Sequence, residues 1–177
     1  MQNGIILYKS KYGATKKYAL WLKEMTGFEL AETKNTKPGD VMQCKTIILC
    51  GGIYASGIAG LSFLKKDFNK INDKNIAVLC VGASPYDENA LETIRTFNLK
   101  GELKEIPLFY GRGAWDESIM TFKDRTLCRL LQKAIAKKDS SSYEPWMKAL
   151  MSASGQKCDW TDKKYLNPLL DYLNSHT

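Results

Sequence analysis

The sequence opens with a segment whose residue types suit the binding of a phosphate. The apolar run 5–8 predicts a buried strand, and helical spacing of apolar residues begins after residue 13. The residues between and just inside these elements are Ser10, Lys11, Tyr12, Gly13, Ala14 and Thr15. A strand that leads through such a loop into a helix N-terminus collects backbone N–H groups, and the helix dipole adds positive potential. Because the two hydroxyl side chains add further donors, the segment predicts an anion site, typically for a phosphate.

Side chains that usually perform acid–base or metal chemistry are scarce in this chain. The single histidine is His176, which excludes histidine triads and histidine-based metal sites. The five cysteines are scattered without a Cys-x-x-Cys pair, and Cys50 and Cys80 end apolar runs that predict buried strands. We therefore expect no metal site, and we expect any demanding chemistry to come from a cofactor.

Length and charge limit the remaining classes. A chain of 177 residues suits one domain, predicted here as a core over 1–138 and a C-terminal extension over 139–177. No secretory or membrane-length apolar segment is present, so we expect a cytoplasmic protein. The formal net charge of +7 indicates either a lysine-rich solvated surface or an anionic partner. The scattered lysines favour the first explanation, and we expect no nucleic acid partner.

Five apolar strand segments alternate with helical segments along the chain. The predicted strands cover residues 5–8, 28–32, 46–50, 75–81 and 105–110. Helices are predicted near residue 14, over 61–69 and 88–97, and after residue 117, where the apolar stripe comprises Leu127, Leu130, Leu131, Ala134 and Ile135. Such alternation is typical of a parallel sheet covered on both faces, with strand order 2-1-3-4-5. Pro107 favours an outer position for the fifth strand.

The loops after the first, third and fourth strands are predicted to form one crevice. In this strand order a ligand binds where the sheet reverses direction, at the carboxyl ends of strands one and three. The second loop supplies the candidate binding residues Gly52, Ile53, Tyr54, Ala55, Ser56 and Gly57. The third loop supplies Gly82, Ala83 and Ser84, with Tyr86 beyond them. Glycine-rich strand exits allow the backbone to approach a flat ligand closely.

The first loop resembles the FMN-phosphate signature of flavodoxins, an aliphatic pair and an aromatic residue followed by Ser/Thr-x-x-Gly-x-Thr. Its defined positions are filled by Ile6, Leu7, Tyr8, Ser10, Gly13 and Thr15. The patterns of nucleotide hydrolases and dinucleotide-binding proteins are absent from the loop. The resemblance implies a flavodoxin-like three-layer α/β sandwich that binds FMN, with the phosphate on the first loop and the ring between the other two. The alternative is an ordinary strand-to-helix turn with a capping threonine.

The C-terminal extension, residues 139–177, resembles that of one particular family of flavodoxin-fold enzymes. Residues 146–155 and 159–162, which precede a predicted final helix over 167–173, are similar to the end of the menaquinone-dependent protoporphyrinogen dehydrogenases. That resemblance implies an FMN enzyme acting on a quinone or porphyrin. Two features differ: the segment 97–105 is short where that family has a long insertion, and Tyr54-Ala55-Ser56-Gly57 replaces its Ile-Arg-Tyr-Gly pattern.

Three aromatic or cationic residues are candidates for a substrate rim. Arg112 and Trp115 follow the fifth strand, where ion pairing and stacking would suit an anionic substrate; the alternative is a capped turn with a semi-buried tryptophan. Tyr86 or Tyr54 would stack on the flavin ring, or pack locally.

Three functions fit these features. The first is an FMN oxidoreductase that passes electrons between a small organic or quinone-type substrate and an acceptor. The second is an electron carrier that docks on redox proteins, and the third is an interaction module without a flavin. Flavodoxin carriers are acidic, so the pI near 9.1 argues against the second, and the complete first loop argues against the third.

The tail also offers a predicted membrane contact. The apolar residues are Trp146, Met147, Leu150 and Met151, and the neighbouring lysines are Lys133, Lys137, Lys138 and Lys148. An apolar patch beside lysines suits a shallow position on an anionic bilayer. The alternative is that the four apolar residues cover the edge of the sheet.

Overall fold

A parallel β-sheet forms the centre of the structure, which is a computed structural model that describes residues 3–176. The strands are β1 (Gly4–Lys9), β2 (Glu29–Glu32), β3 (Thr46–Tyr54), β4 (Gly57–Ile58), β5 (Asn75–Gly82), β6 (Leu108–Arg112), β7 (Ala114–Asp116) and β8 (Lys157–Asp159). The helices are α1 (Ala14–Thr26), α2 (Pro38–Val41), α3 (Leu61–Lys66), α4 (Glu88–Asn98), α5 (Phe122–Ile135), α6 (Pro145–Ser152) and α7 (Asn167–Ser175). The order β2–β1–β3–β5–β6 confirms the predicted flavodoxin-like α/β fold.

The strands are apolar on both faces because helices cover both faces of the sheet. Ile6 of β1 and Ile48 of β3 are paired in parallel register, and both side chains lie in the core beneath α1. The alternate residues Ile5 and Leu7 lie in the second core, on the opposite face. Strand β6, which follows Pro107, lies at the edge of the sheet, as that proline predicted.

The second predicted loop is largely a strand. Strand β3 continues to Tyr54 and pairs with β4 in an antiparallel hairpin. Its two-residue turn places Ala55 at φ 46° and Ser56 at φ 67°, as a tight hairpin turn requires. A β-carbon on Gly51 would lie 2.3 Å from the carbonyl oxygen of Ala59, so glycine there permits the close return of the chain. The glycine-rich sequence thus favours a narrow hairpin.

The predicted apolar stripe of α5 does not cover the sheet. Leu127, Leu130 and Leu131 are 55%, 58% and 43% exposed. After β6 the chain leaves the sheet as β7, forms α5 and α6, and returns as β8, which pairs with β7. The place beside α1 is taken by α7, whose leucines belong to the same core as Ile6. The sequence predicted this stripe, but an apolar stripe on a helix does not identify the surface it faces.

Helix α6 does not offer the exposed apolar patch expected of it. Met147 is buried, while Trp146, Leu150 and Met151 are half-buried. Within residues 3–176 no helix has the length and hydropathy needed to cross a membrane. The division at residue 138 stays a prediction, although the burial of α7 means that the extension contributes to the core.

Because α7 rather than α5 covers the core beside α1, a leucine substitution in α7 should destabilise the protein more than one in α5. Leu169→Ala should lower the free energy of unfolding by about 2–5 kcal/mol, because its side chain is fully buried. The control Leu130→Ala, on the exposed face of α5, should change that free energy by about 0.5 kcal/mol or less. Urea denaturation measures both, and equal losses would show that α5 covers the core.

Candidate functional site

A cavity of about 390 Å³ lies at the carboxyl edge of the sheet, where the three predicted loops converge. The predicted residues that line it are Ser10, Tyr12, Ala14, Thr15, Gly52, Ile53, Tyr54, Ala55, Gly82, Ala83 and Trp115. Those outside its wall are Lys11, Gly13, Ser56, Gly57, Ser84, Tyr86 and Arg112. The strand order therefore brings residues from all three loops to one volume, which lies within the size range of small-molecule sites.

The first loop leaves the N-terminus of α1 without a side-chain cap. Gly13 occupies the N-cap position at φ 99°, a left-handed conformation that favours glycine. Its N–H donates to Ser10 Oγ at 3.1 Å, and no acidic residue lies in the first helical turn. Thr15, buried in that turn, lines the cavity. The first N–H groups of a helix have no intrahelical partners, so this end is suited to an anion.

Tyr54 connects the second loop to the first. Its ring lies over Gly52, where a β-carbon would approach the ring to 2.8 Å. Its hydroxyl accepts a hydrogen bond from the Lys11 N–H at 3.3 Å. Burial raises the pKa of Tyr54, so its hydroxyl is protonated at neutral pH. Tyr54 therefore presents an aromatic surface to the cavity from the hairpin.

The third loop is held from behind by β6. The Tyr110 hydroxyl donates to the Ser84 carbonyl oxygen at 2.5 Å, and Arg112 Nε donates to that of Ala83 at 3.1 Å. The Arg112 guanidinium also stacks on the Trp160 ring, 4.3 Å from its centroid. Tyr86 is 56% exposed. Arg112 thus braces the loop, and neither Arg112 nor Tyr86 reaches the cavity wall expected of a substrate rim.

A buried tyrosine ties the first helix to the end of the sheet. The Tyr18 hydroxyl donates to the carbonyl oxygen of Arg112 at 2.6 Å and accepts from the Asp162 N–H at 3.2 Å. Burial raises the pKa of Tyr18 to about 12. This one hydroxyl therefore links α1, β6 and the tail.

One carboxylate connects parts of the segment between β6 and α7, residues 113–166, which is called the excursion below. Glu117 accepts hydrogen bonds from the Gly155 N–H at 3.3 Å and from Gln132 Nε2 at 3.4 Å. Its carboxylate also lies 3.5 Å from Arg129 Nε. Burial raises the pKa of Glu117, but these donors outweigh it and leave the pKa below its ordinary value. Glu117 thus joins the start of the excursion to α5 and to the turn after α6.

Helix α5 and Met120, two residues before it, supply a wall that sequence reasoning missed. Its cavity-lining residues are Met120, Asp124, Leu127, Cys128 and Leu131. The apolar stripe was visible in the sequence, but its position along the cavity was not, and no sequence signal singled out Asp124. Among the described residues that line the cavity, Asp124 is the one charged side chain.

No group of three or more histidine, cysteine, aspartate or glutamate side chains in the described part of the chain is arranged to hold a metal ion. Apart from the Asp124 carboxylate, the polar side chains that line the cavity are the hydroxyls of Ser10, Tyr12, Thr15 and Tyr54 and the indole N–H of Trp115. This set of donors suits an anionic organic ligand better than a metal ion.

The family model that describes the flavodoxin domain matches residues 5–142 of this chain. A WrbA-like flavodoxin from Agrobacterium tumefaciens is 18% identical, with 89% of this chain and 100% of that chain covered and a TM-score of 0.46. A flavoprotein in complex with FMN from Lactobacillus acidophilus NCFM is 14% identical, with 63% and 93% covered and a TM-score of 0.45. No curated protein matches this chain.

The raised pKa of Tyr18 predicts a pH dependence of stability. A free tyrosine has a pKa of about 10, so folding favours the neutral hydroxyl, and its contribution is complete below about pH 10. The contribution is lost as pH rises from about 10 through about 12, where the Tyr18 hydroxyl of the folded protein ionises.

Tyr18→Phe should therefore lower the free energy of unfolding at pH 7 by about 1–3 kcal/mol and flatten its decline above pH 10. The control Tyr86→Phe alters an exposed ring and should do neither. Urea denaturation across this pH range measures the difference. Parallel pH profiles for wild type and Tyr18→Phe would contradict the assignment.

Proposed function

Because the chain belongs to the flavodoxin domain family, we propose that it is an FMN-dependent oxidoreductase. It passes electrons between a small organic or quinone-type substrate and an acceptor. The observation that carries the proposal is the uncapped N-terminus of α1, which opens onto a cavity flanked by the second and third loops. A phosphate satisfies the free helix end, and a planar aromatic ring suits the apolar walls.

Each loop then has a distinct role toward the cofactor. The N–H groups of residues 11–15 bind the phosphate, with Ser10 and Thr15 as hydroxyl donors. The backbone of Gly82 and Ala83 lies where hydrogen bonds to the ring edge would tune its potential. Tyr54 and Trp115 provide aromatic surface at the cavity. When bound, FMN supplies the transfer of one or two electrons.

The position of α5 favours a small-molecule substrate over a large redox partner. A carrier that docks on proteins needs an exposed edge of its flavin, whereas Leu127 and Leu131 of α5 stand along this cavity. The net charge of +7 also differs from the acidic character of flavodoxin carriers. Steady-state quinone reductase turnover by the purified flavoprotein separates the two functions. Turnover supports the enzyme, and its absence together with reduction of a protein acceptor supports the carrier.

A narrower version of the proposal names protoporphyrinogen as the electron donor and a quinone as the acceptor. Its support is the tail sequence over 146–155 and 159–162. Contact with an anionic membrane belongs to this version, although the packing of α6 does not supply the apolar patch that the contact was expected to use. Oxidation of protoporphyrinogen by the purified protein tests it.

The phosphate site predicts a specific loss of FMN binding. Wild type should bind one equivalent of FMN, and FMN at about 100 times its dissociation constant should add about 2.7 kcal/mol to the free energy of unfolding. Gly13→Asp should abolish both effects, because it places a negative charge and a side chain at the phosphate site. Quenching of FMN fluorescence and thermal melting measure them.

Gly101→Asp is a matched control. Gly101 also has a positive φ, at 59°, and open space around its β-carbon, but it lies away from the cavity. Both variants therefore add the same charge at a glycine of positive φ, and only one of the two glycines adjoins the cavity. FMN binding retained in Gly13→Asp, or absent from wild type, would overturn the assignment.

A further inference from the structure

Helix α5 is held at its two ends, and its middle lies along the cavity. At the C-terminal end, Gln132 and Ile135 are the buried residues of the helix, and Gln132 Nε2 donates to the Leu150 carbonyl oxygen of α6 at 3.5 Å. At the N-terminal end, the Thr121 N–H donates to the Tyr12 hydroxyl at 3.3 Å. The segment between these ends has little burial of its own. Its position therefore depends on these two attachments and on the contact of Arg129 with the Glu117 carboxylate.

The N-terminal attachment is made to the predicted phosphate loop itself. The Asp124 carboxylate contacts Lys11 Nζ in an ion pair and accepts a hydrogen bond from the Tyr12 hydroxyl. The same hydroxyl accepts from the Thr121 N–H, so Tyr12 connects the helix cap to the carboxylate. Asp124 lies in the first turn of α5, where the helix dipole favours a negative charge. The Lys11 and Tyr12 contacts lower the pKa of Asp124, so the carboxylate is charged at neutral pH.

The attached helix places apolar side chains opposite the three loops. Leu127 and Leu131 lie one and two turns beyond Asp124 on the cavity side of α5, with Met120 before the helix. Leu130, on the same helix, does not line the cavity. Leu127 and Leu130 are 55% and 58% exposed, so they differ mainly in whether they face the cavity.

We propose that α5 forms the outer wall of the cofactor cavity and that Asp124 is the positioning residue that holds this wall on the phosphate loop. This inference rests on the proposed binding of FMN. Bound FMN is then enclosed between the loops and the apolar side of α5, and it leaves when the contacts of Asp124 with Lys11 and Tyr12 open. The wall therefore controls the rate of cofactor release.

Electrostatics alone makes the opposite prediction for Asp124. A carboxylate beside the phosphate repels it, so neutralising the carboxylate would by itself strengthen phosphate binding and slow release. A role in holding the wall predicts faster release. The sign of the change therefore separates the two roles.

The test measures the rate of FMN release from the full-length holoprotein by stopped-flow fluorescence, with an excess of a competing apoflavoprotein as the trap. Asp124→Asn should speed release about tenfold, a factor that corresponds to about 1.4 kcal/mol. Its control, Glu24→Gln, removes a carboxylate of α1 that pairs with Lys163 at 3.4 Å and should leave the rate unchanged. The melting temperature of the cofactor-free Asp124→Asn protein should stay near that of wild type.

A second pair of variants tests the wall without touching the attachment. Leu127→Ala should speed release several-fold because it removes an apolar surface from the cavity, and Leu130→Ala should not. Since both side chains are more than half exposed, neither substitution should prevent folding.

A double-mutant cycle tests whether Asp124 acts through the loop. Tyr12→Phe removes only the hydroxyl, and its effect on release should not add to that of Asp124→Asn because both break the same attachment. Slower or unchanged release in Asp124→Asn, or equal rates for Leu127→Ala and Leu130→Ala, would overturn the inference while FMN binding stands. Absence of FMN binding in wild type would instead overturn the proposed function.

Discussion

The parallel pairing of β1 with β3 is the constraint from which the candidate site follows. Six residue pairs join the two strands, from Gly4 with Thr46 to Lys9 with Gly51, so both strands end at the same edge of the sheet. Strand β2 lies on one side of this pair and β5 on the other, which reverses the direction of winding at β1 and β3. A crevice opens at such a reversal. The first loop, the hairpin and the third loop meet there because each follows one of these adjacent strands.

The excursion between β6 and α7 changes what this common fold can do. Its two strands pair at the base, and the Glu117 carboxylate connects its start to α5 and to the turn after α6. This arrangement directs α5 to the edge of the sheet and leaves α7 to bury the face beside α1. The chain thereby gains an apolar wall at the cavity without losing a helix from its core. The cost is an exposed outer side on α5, which carries Phe122 at 85% exposure.

The sequence predicted the features that depend on local pattern and missed those that depend on long-range packing. Apolar runs and their alternation with helices were enough to predict the sheet order, and the residue types of 10–15 were enough to predict the first loop. The helical stripe of Leu127 and Leu131 indicated an apolar side of α5, but a stripe does not say what that side faces. Asp124 had no local signal, because its partners Lys11 and Tyr12 lie more than 100 residues away. Arg112 was predicted as a substrate contact. Its hydrogen bond to the Ala83 carbonyl oxygen was not predicted, because it depends on the pairing of β6 with β5.

The central claim is that the first turn of α1 binds the phosphate of FMN, and the amide NMR spectrum of the protein tests it most directly. On titration with FMN, the N–H signals of residues 11–15 should shift together with a single dissociation constant, along with those of Gly82 and Ala83. Inorganic phosphate at high concentration should shift the first set and leave the second in place. Shifts confined to other parts of the chain, such as the open groove beside Phe97 on α4, would contradict the account.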